Sequence, residues 1–358
     1  MITVSENIQN LMPYVPGKPI EELERELGIS GSIKLASNEN PLGPSPKAIA
    51  AMRKVLEGLN RYPDGSGYYL SAGLAKKYDV DISQVILGNG SNELIELVVR
   101  TFVQPGDEIV SADPSFVVYK MIAQAASAVN VIVPCKELRH DLDAMAERIT
   151  PKTKIVFIAN PNNPTGTMNT KVEMDRFMSR VPDHVIVAVD EAYFEYVTHA
   201  DYPDSLDYLR AGKNVLSLRT FSKIYGLAGL RIGYGITSAE IAELMNKVRQ
   251  PFNTNSLGQV GALAALGDIK HVEKSIAINN EGKQFLYQSF RRLGITFTPT
   301  ETNFIFFEAP LDGRELYTIL LKQGVIIRPM GGKRLRVTIG LPDENKRFVS
   351  ELEKIVTS

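Results

Sequence analysis

The chain of 358 residues carries 40 basic against 41 acidic side chains, a net charge of −1, with neither sign gathered into a tail. That balance argues against a general nucleic-acid surface or a polybasic membrane contact, each of which needs a positive excess on one face. Hydrophobic content of 44% with 23% charged residues is globular composition, and the length points to about two domains.

One cysteine, Cys135, excludes an internal disulfide and a cysteine-built zinc site. His140, His184, His199 and His271 are widely separated and lack metal-ligand spacing, so no metal is expected. The longest apolar runs, such as residues 155–159, fall far short of a membrane span. The first six residues have neither the basic nor the apolar part of a signal peptide, so a cytoplasmic location is expected.

In chain order, a strand is predicted over residues 85–87, followed by a glycine loop and a largely buried helix over 92–102. A strand over 107–111, a helix over 116–126 and a strand over 130–133 come next. Further strands are predicted at 154–159, 185–189, 214–218 and 230–236. Short, nearly continuous apolar strands separated by helices mark a mainly parallel sheet covered on both faces. After about residue 266 the pattern changes to a long helix over 271–293, a strand over 303–307, a helix over 313–323, and strands over 325–328 and 334–339. This predicts a smaller α+β domain. The partition expected is 33–266 for the large domain, with 1–32 and 267–358 forming the small one, and the first thirty or so residues packing beside the small domain.

In open α/β sheets, ligands bind beyond the carboxyl ends of the strands, so the residues just after each strand carry the chemistry. Gly90-Ser91-Asn92-Glu93 stands at a helix start, where free N–H groups and the helix dipole suit a phosphate; a glycine loop capped by Ser91 or Asn92 is an equal reading. Asn160-Pro161-Asn162-Asn163-Pro164-Thr165-Gly166 is either a turn-rich loop or a rigid mount for an Asn amide, with Asn163-Pro164 a candidate cis bond. Asp190, at the end of a buried strand, needs a cationic partner or hydrogen bonds, or else caps a helix. Lys223 follows Thr220-Phe221-Ser222 at another strand end, eight residues before Arg231.

The order Asn-Pro-Thr-Gly, then Asp-Glu-Ala-Tyr at 190–193, then Ser222-Lys223 with Arg231 resembles the aminotransferase class I/II family of fold-type I pyridoxal-phosphate enzymes. Residues 34–46, reading Lys-Leu-Ala-Ser-Asn-Glu-Asn-Pro-Leu-Gly-Pro-Ser-Pro, strengthen the likeness, as do Arg61-Tyr62-Pro63-Asp64-Gly65 and Leu335-Arg336-Val337-Thr338-Ile339-Gly340. The resemblance spans essentially the whole chain and implies an α/β fold-type I transferase with pyridoxal 5′-phosphate as cofactor.

The resemblance also implies roles. Lys223 would hold the cofactor covalently and then act as the base that moves the proton. Asp190 would pair with the pyridine nitrogen, and Tyr193 and Asn163 would hydrogen-bond the ring oxygen. Phe116 would stack on the ring, where many relatives have tyrosine. Arg231, Thr220, Ser222 and the N–H groups of Ser91 and Asn92 would hold the phosphate, joined by Tyr62 from the neighbouring subunit of a homodimer. Arg336 would grip an anionic group of the substrate, since a guanidinium suits carboxylate and phosphate alike. Arg328 and Tyr14 would lie near the same end, although an ion pair for Arg328 and simple packing for Tyr14 are open readings.

The implied reaction is ping-pong transamination between histidinol phosphate and 2-oxoglutarate. Transamination of aromatic amino acids and threonine-phosphate decarboxylation are alternatives on the same fold. A non-catalytic regulator that binds the cofactor is disfavoured by the intact Lys223 and Asp190.

Overall fold

The computed structural model describes residues 2–357. Its centre is a seven-stranded sheet in the order Val85–Gly88, Gly233–Ile236, Val215–Thr220, Ile186–Asp190, Thr153–Ala159, Glu108–Asp113 and Val129–Pro134. Gly233–Ile236 is antiparallel to both of its neighbours, and the remaining pairs are parallel. The predicted α/β architecture is therefore present, with one reversed strand.

Alternation along each strand explains why both faces are covered. Ile155 and Phe157 join a cluster with Leu94 and Met245, while Val156 and Ile158 join a second cluster with Met174 and Phe177. Successive side chains point to opposite faces, so an uninterrupted apolar run can only be satisfied by helices on each side. Burying one such Leu or Phe side chain contributes about 1.5–3 kcal/mol.

Two local predictions shift. The predicted strand over 230–236 begins only at Gly233, because Ala228–Leu230 forms a 3-10 turn and Arg231 takes the left-handed conformation at φ 53°. The predicted strand over 325–328 divides into Val325–Ile326 and Arg328–Pro329. The first part pairs in parallel with Ile33–Lys34, and the second pairs antiparallel with Arg334–Thr338. The chain changes partners there, so no single strand can run through.

The C-terminal part is a four-stranded antiparallel sheet, Arg328–Pro329, Arg334–Thr338, Phe304–Glu308 and Thr296–Thr298, packed by the helices Gly313–Lys322 and Pro342–Val356. Its core gathers Leu286, Phe290, Phe307, Leu335, Val337 and Phe348. The helix Ile269–Arg292 serves both units: Val272 and Ile276 pack on the core of the large sheet, and Leu286 and Phe290 on the smaller one.

The N-terminal segment departs in part from expectation. The helix Ile20–Leu27 does pack beside the smaller unit, burying Leu23 against Ala36 and Ile326. The turn Glu6–Gln9, however, docks on the helix Val118–Ala125 of the large unit: Asn7 Nδ2 donates to the Gln124 and Ala125 carbonyls at 3.0 and 3.1 Å, and Gln124 Nε2 donates to the Asn7 carbonyl at 2.9 Å. The last carbonyls of a helix lack partners within it, and the Asn7 amide supplies them. Among the described residues no helix is long and apolar enough to cross a membrane.

Candidate active site

A cavity of about 440 Å³ opens at the carboxyl ends of the parallel strands. Asp190 ends Ile186–Asp190, and Thr220 ends Val215–Thr220 with Ser222 and Lys223 just beyond. All four line the cavity, together with Tyr193 and Asn163. Ser91 and Asn92 reach it from the start of the helix Ser91–Phe102, and Phe116, Arg231 and Tyr14 complete the predicted set found there.

Asp190 is buried, and burial pushes its carboxyl above the usual range, while the Tyr119 hydroxyl hydrogen bond and the Lys223 charge oppose that rise. Tyr119 Oη donates to Asp190 Oδ2 at 2.7 Å, and the Ala192 N–H donates to Oδ1 at 3.1 Å. A buried acid held by two donors beside a cavity suits a protonated ring nitrogen. It caps no helix; the chain continues into a 3-10 turn at Phe194–Tyr196. The next residue, Glu191, points to the far side and is buried with Arg219 at 2.9 Å. The Arg219 guanidinium is covered by Phe194 at 3.7 Å and Tyr78 at 4.8 Å. This ion pair ties together the strand ends that carry Asp190 and Thr220. Loss of one partner from such a buried pair costs about 3–5 kcal/mol.

The Lys223 ammonium donates to the Ser37 carbonyl at 3.3 Å and lies 5.8 Å from the Tyr193 ring centre. Burial, helped by nearby Arg336 and opposed by Glu39, lowers its pKa from 10.5 to about 8. A larger share of neutral amine is what a lysine needs in order to attack an aldehyde.

The cradle around Arg231 is built by small residues. Gly90 stands at φ +76°, and a Cβ there would meet Arg231 Nη2 at 2.6 Å. Arg231 Nη1 donates to Ser222 Oγ at 3.4 Å and to the Ala228 carbonyl at 3.2 Å. The helix Ser91–Phe102 has Gly90 at its N-cap and no side-chain cap, so neither Ser91 nor Asn92 acts as a capping residue, contrary to one of the sequence readings. Its first N–H groups face the cavity beside a guanidinium, an arrangement suited to phosphate.

The Asn-Pro loop is held from within. Asn160 bonds Asn169 through both amide atoms, at 3.1 and 2.8 Å, and Asn162 Nδ2 donates to the Pro114 carbonyl and Thr165 Oγ1 at 2.9 Å each. That leaves Asn163 for the cavity, where its Oδ1 accepts from Arg336 Nη1 at 2.5 Å. The Asn163-Pro164 bond is cis, as are Asn160-Pro161 and Asp113-Pro114.

Arg336 is buried. Its Nη2 donates to the Ala36 carbonyl at 2.7 Å and its Nε has no partner. Arg328 lies directly opposite it in the antiparallel register, so both guanidinium groups leave the same face. Like charges across a strand pair are destabilising unless an anion joins them. The Arg328 guanidinium sits 5.4 Å from the ring centre of Tyr14, which itself lines the cavity. No ion pair to Arg328 is present among the described residues.

Three of the predicted site residues, Arg328, Arg336 and Tyr62, do not line the cavity. Arg336 reaches it through Asn163, whereas Tyr62 is 81% exposed and stacks on Phe252 at 4.7 Å. Sequence reasoning gave no role to Tyr119 or to Asn38, whose Nδ2 donates to Tyr193 Oη at 2.8 Å. Tyr119 reads as an ordinary apolar-face residue of the helix Val118–Ala125, and only its hydroxyl, reaching across to Asp190, marks it. The residues present fit pyridoxal phosphate: an acid for the ring nitrogen, a lysine of lowered pKa for the aldehyde, and an uncapped helix start with an arginine for the phosphate.

The family model for aminotransferases of class I and II matches residues 30–352. The chain is 51% identical over 356 residues to the histidinol-phosphate aminotransferase of Moorella thermoacetica, covering 98% of this chain and 92% of that one. It is 48% identical over 357 residues to histidinol-phosphate aminotransferase 2 of Hydrogenovibrio crunogenus, covering 98% and 96%. Among solved structures, histidinol-phosphate aminotransferase of Sinorhizobium meliloti in complex with pyridoxal-5′-phosphate superposes with a TM-score of 0.91 at 26% identity, covering 99% of this chain and 97% of that one. By its sequence, its fold and the residues gathered at its strand ends, the chain belongs to the aminotransferase class I and II family.

Proposed function

We propose that the chain transfers the amino group of histidinol phosphate to 2-oxoglutarate, using pyridoxal phosphate. The observation that carries the substrate is the pair Arg328 and Arg336, side by side on adjacent strands beside Tyr14, with the buried Arg336 Nε unpartnered. Two guanidinium groups on one face suit a phosphate or a carboxylate, and so both the donor and the acceptor of such a reaction. The names of the relatives above point the same way.

When bound, pyridoxal phosphate supplies an electron-accepting ring conjugated to the substrate's reacting carbon. The rest falls to this chain's residues. Arg231, Thr220, Ser222 and the N–H groups of Ser91 and Asn92 would hold the phosphate. Asp190, held in place by Tyr119, would keep the ring nitrogen protonated. Phe116 would pack against the ring, while Asn163 and Tyr193 would donate to the ring oxygen. Lys223 would hold the cofactor covalently and would move the proton at the substrate's α-carbon. Arg336, with Arg328 and Tyr14 beside it, orients the substrate's anionic end.

The same reading makes the protein a cytoplasmic homodimer in which Tyr62 reaches the partner's cofactor phosphate. Its exposure, together with that of Phe252, Tyr68 and Tyr69, supports this, since so many exposed aromatic groups suit burial against a second copy. Residues 33–266 form the cofactor unit, and 1–32 with 267–358 form the smaller one, the Asn7 contacts bridging them.

The deciding experiment is a half-reaction panel on the holoenzyme with histidinol phosphate, phenylalanine, glutamate and threonine phosphate. Histidinol phosphate and glutamate are expected to convert the cofactor to its amine form, histidinol phosphate far faster than phenylalanine. Faster conversion by phenylalanine would move the assignment to aromatic amino acids, and carbon dioxide release from threonine phosphate would move it to decarboxylation. The phosphate cradle has its own check by equilibrium titration. Arg231→Ala is expected to raise the cofactor's Kd roughly tenfold to a hundredfold, the loss of one charge-assisted hydrogen bond. An unchanged Kd would make Arg231 structural.

A further inference from the structure

Asn38 stands where the N-terminal segment, the large unit and the small unit meet. It is 1% exposed and adopts φ 56°, a left-handed conformation that asparagine tolerates better than most residues. Its Nδ2 donates to Tyr193 Oη at 2.8 Å. Its Oδ1 accepts from Thr338 Oγ1 at 3.2 Å, and its backbone N–H donates to the same Oγ1 at 2.9 Å. Asn303 Nδ2 donates to the Asn38 carbonyl at 3.0 Å, fixing the backbone from a further side.

The direction of these bonds follows from counting hydrogens. Thr338 Oγ1 already receives the Asn38 N–H, and its own hydroxyl hydrogen needs an acceptor, which Asn38 Oδ1 provides. The amide must then present Nδ2 to Tyr193. Turning the amide over would set the Thr338 hydroxyl against an NH2 group and leave a buried hydrogen without an acceptor. Because Tyr193 Oη receives a hydrogen from Asn38, its own hydrogen is free to point elsewhere, and the open side is the cavity that Tyr193 lines. The Tyr193 phenol, pushed up to about 12 by burial, keeps that hydrogen at any ordinary pH.

We infer that Asn38, itself oriented by Thr338, is a positioning residue that commits the Tyr193 hydroxyl hydrogen to the ring oxygen of the cofactor; the inference rests on the cavity being a pyridoxal-phosphate site. Thr338 lies two residues beyond Arg336 on the strand Arg334–Thr338 and therefore on the same face. The strand that presents Arg336 to the substrate thus also sets the direction of a hydrogen bond to the cofactor.

The test uses Asn38→Asp, which keeps the shape but offers only acceptors. Thr338 still donates to one carboxylate oxygen, and Tyr193 must donate to the other, turning its hydrogen away from the cavity. The readout is the pH titration of the visible absorbance of lysine-bound pyridoxal phosphate. Its midpoint is lowered by any donor that holds the ring oxygen's negative charge, so losing the Tyr193 donor raises it. The rise expected from that loss is roughly one to two pH units, a tenfold to hundredfold change in proton affinity.

Because the substitution also adds a charge, the shift is measured in both the Tyr193 and the Tyr193→Phe backgrounds. A shift that shrinks in the Phe background to what the charge alone produces supports the role. Equal shifts in both backgrounds, or a changed melting temperature with an unmoved midpoint, overturn it. Should Asn38→Asp fail to fold, Thr338→Val is read in the same cycle: a Tyr193-dependent rise supports the inference and an unmoved midpoint overturns it. A wild-type chain without lysine-dependent absorbance would instead overturn the cofactor reading itself.

Discussion

Lys223→Ala is expected to abolish the lysine-dependent visible absorbance of the holoenzyme and to lower kcat by roughly 10⁴-fold, the upper end of what a positioned proton-transfer group contributes. Lys223 is the only amine among the described residues that line the cavity. The Tyr193 phenol, pushed up to about 12 by burial, holds its proton at working pH. The unmutated lysine also predicts a pH dependence. Neutral amine is the attacking form, and burial brings its pKa from 10.5 to about 8, so attachment of added pyridoxal phosphate should speed up as pH rises and level off just above pH 8. Rapid mixing at a series of pH values measures this. Absorbance that survives in Lys223→Ala would remove the residue from its assigned role, and a rate still climbing toward pH 10 would show that the lysine is not desolvated.

Asp190→Asn is the second large effect, with kcat expected to fall roughly 10²- to 10³-fold, the loss of one preorganised, buried electrostatic partner. The substitution preserves volume. Its Oδ1 can still accept from Tyr119, but the new NH2 group then faces the Ala192 N–H, so one of the two present hydrogen bonds disappears with the charge. A neutral amide cannot hold the ring nitrogen protonated, and the ring accepts electrons less readily without that proton. Half-reaction rates with glutamate, measured alongside cofactor Kd, separate the two consequences. A raised Kd with an unchanged rate would make Asp190 a binding residue alone.

Much of the fold was readable before any coordinates because its physical causes are local. Uninterrupted apolar runs such as 155–159 demand burial on both faces, and glycine or proline marks where several strands stop, at Gly88, Pro114, Pro134 and Pro161. The cavity-lining residues were readable for a related reason: in a sheet of this kind the residues just past the strand ends converge, so Asp190, Thr220 and Lys223 could be paired without knowing a distance. Boundaries failed where a residue serves a distant partner. Arg231 leaves strand geometry to reach the space beside Gly90, and Ile327 marks the point where the chain exchanges Ile33–Lys34 for Arg334–Thr338. The Asn7 contacts were equally hidden, since they depend on which helix end lies nearby 117 residues later.

The sequence by itself determined the α/β class, the family resemblance and the identity of most side chains around the cavity, because hydrophobic period and strand-end position are properties of neighbouring residues. Only the tertiary structure decided what those side chains touch. Tyr119 and Asn38 become relevant through single hydroxyl and amide contacts spanning 71 and 155 residues, and Arg328 faces Arg336 only because two strands share a register. Hydrogen bonds and charge pairs act over a few ångströms and are set by which segments fold together, so no local pattern in the chain announces them.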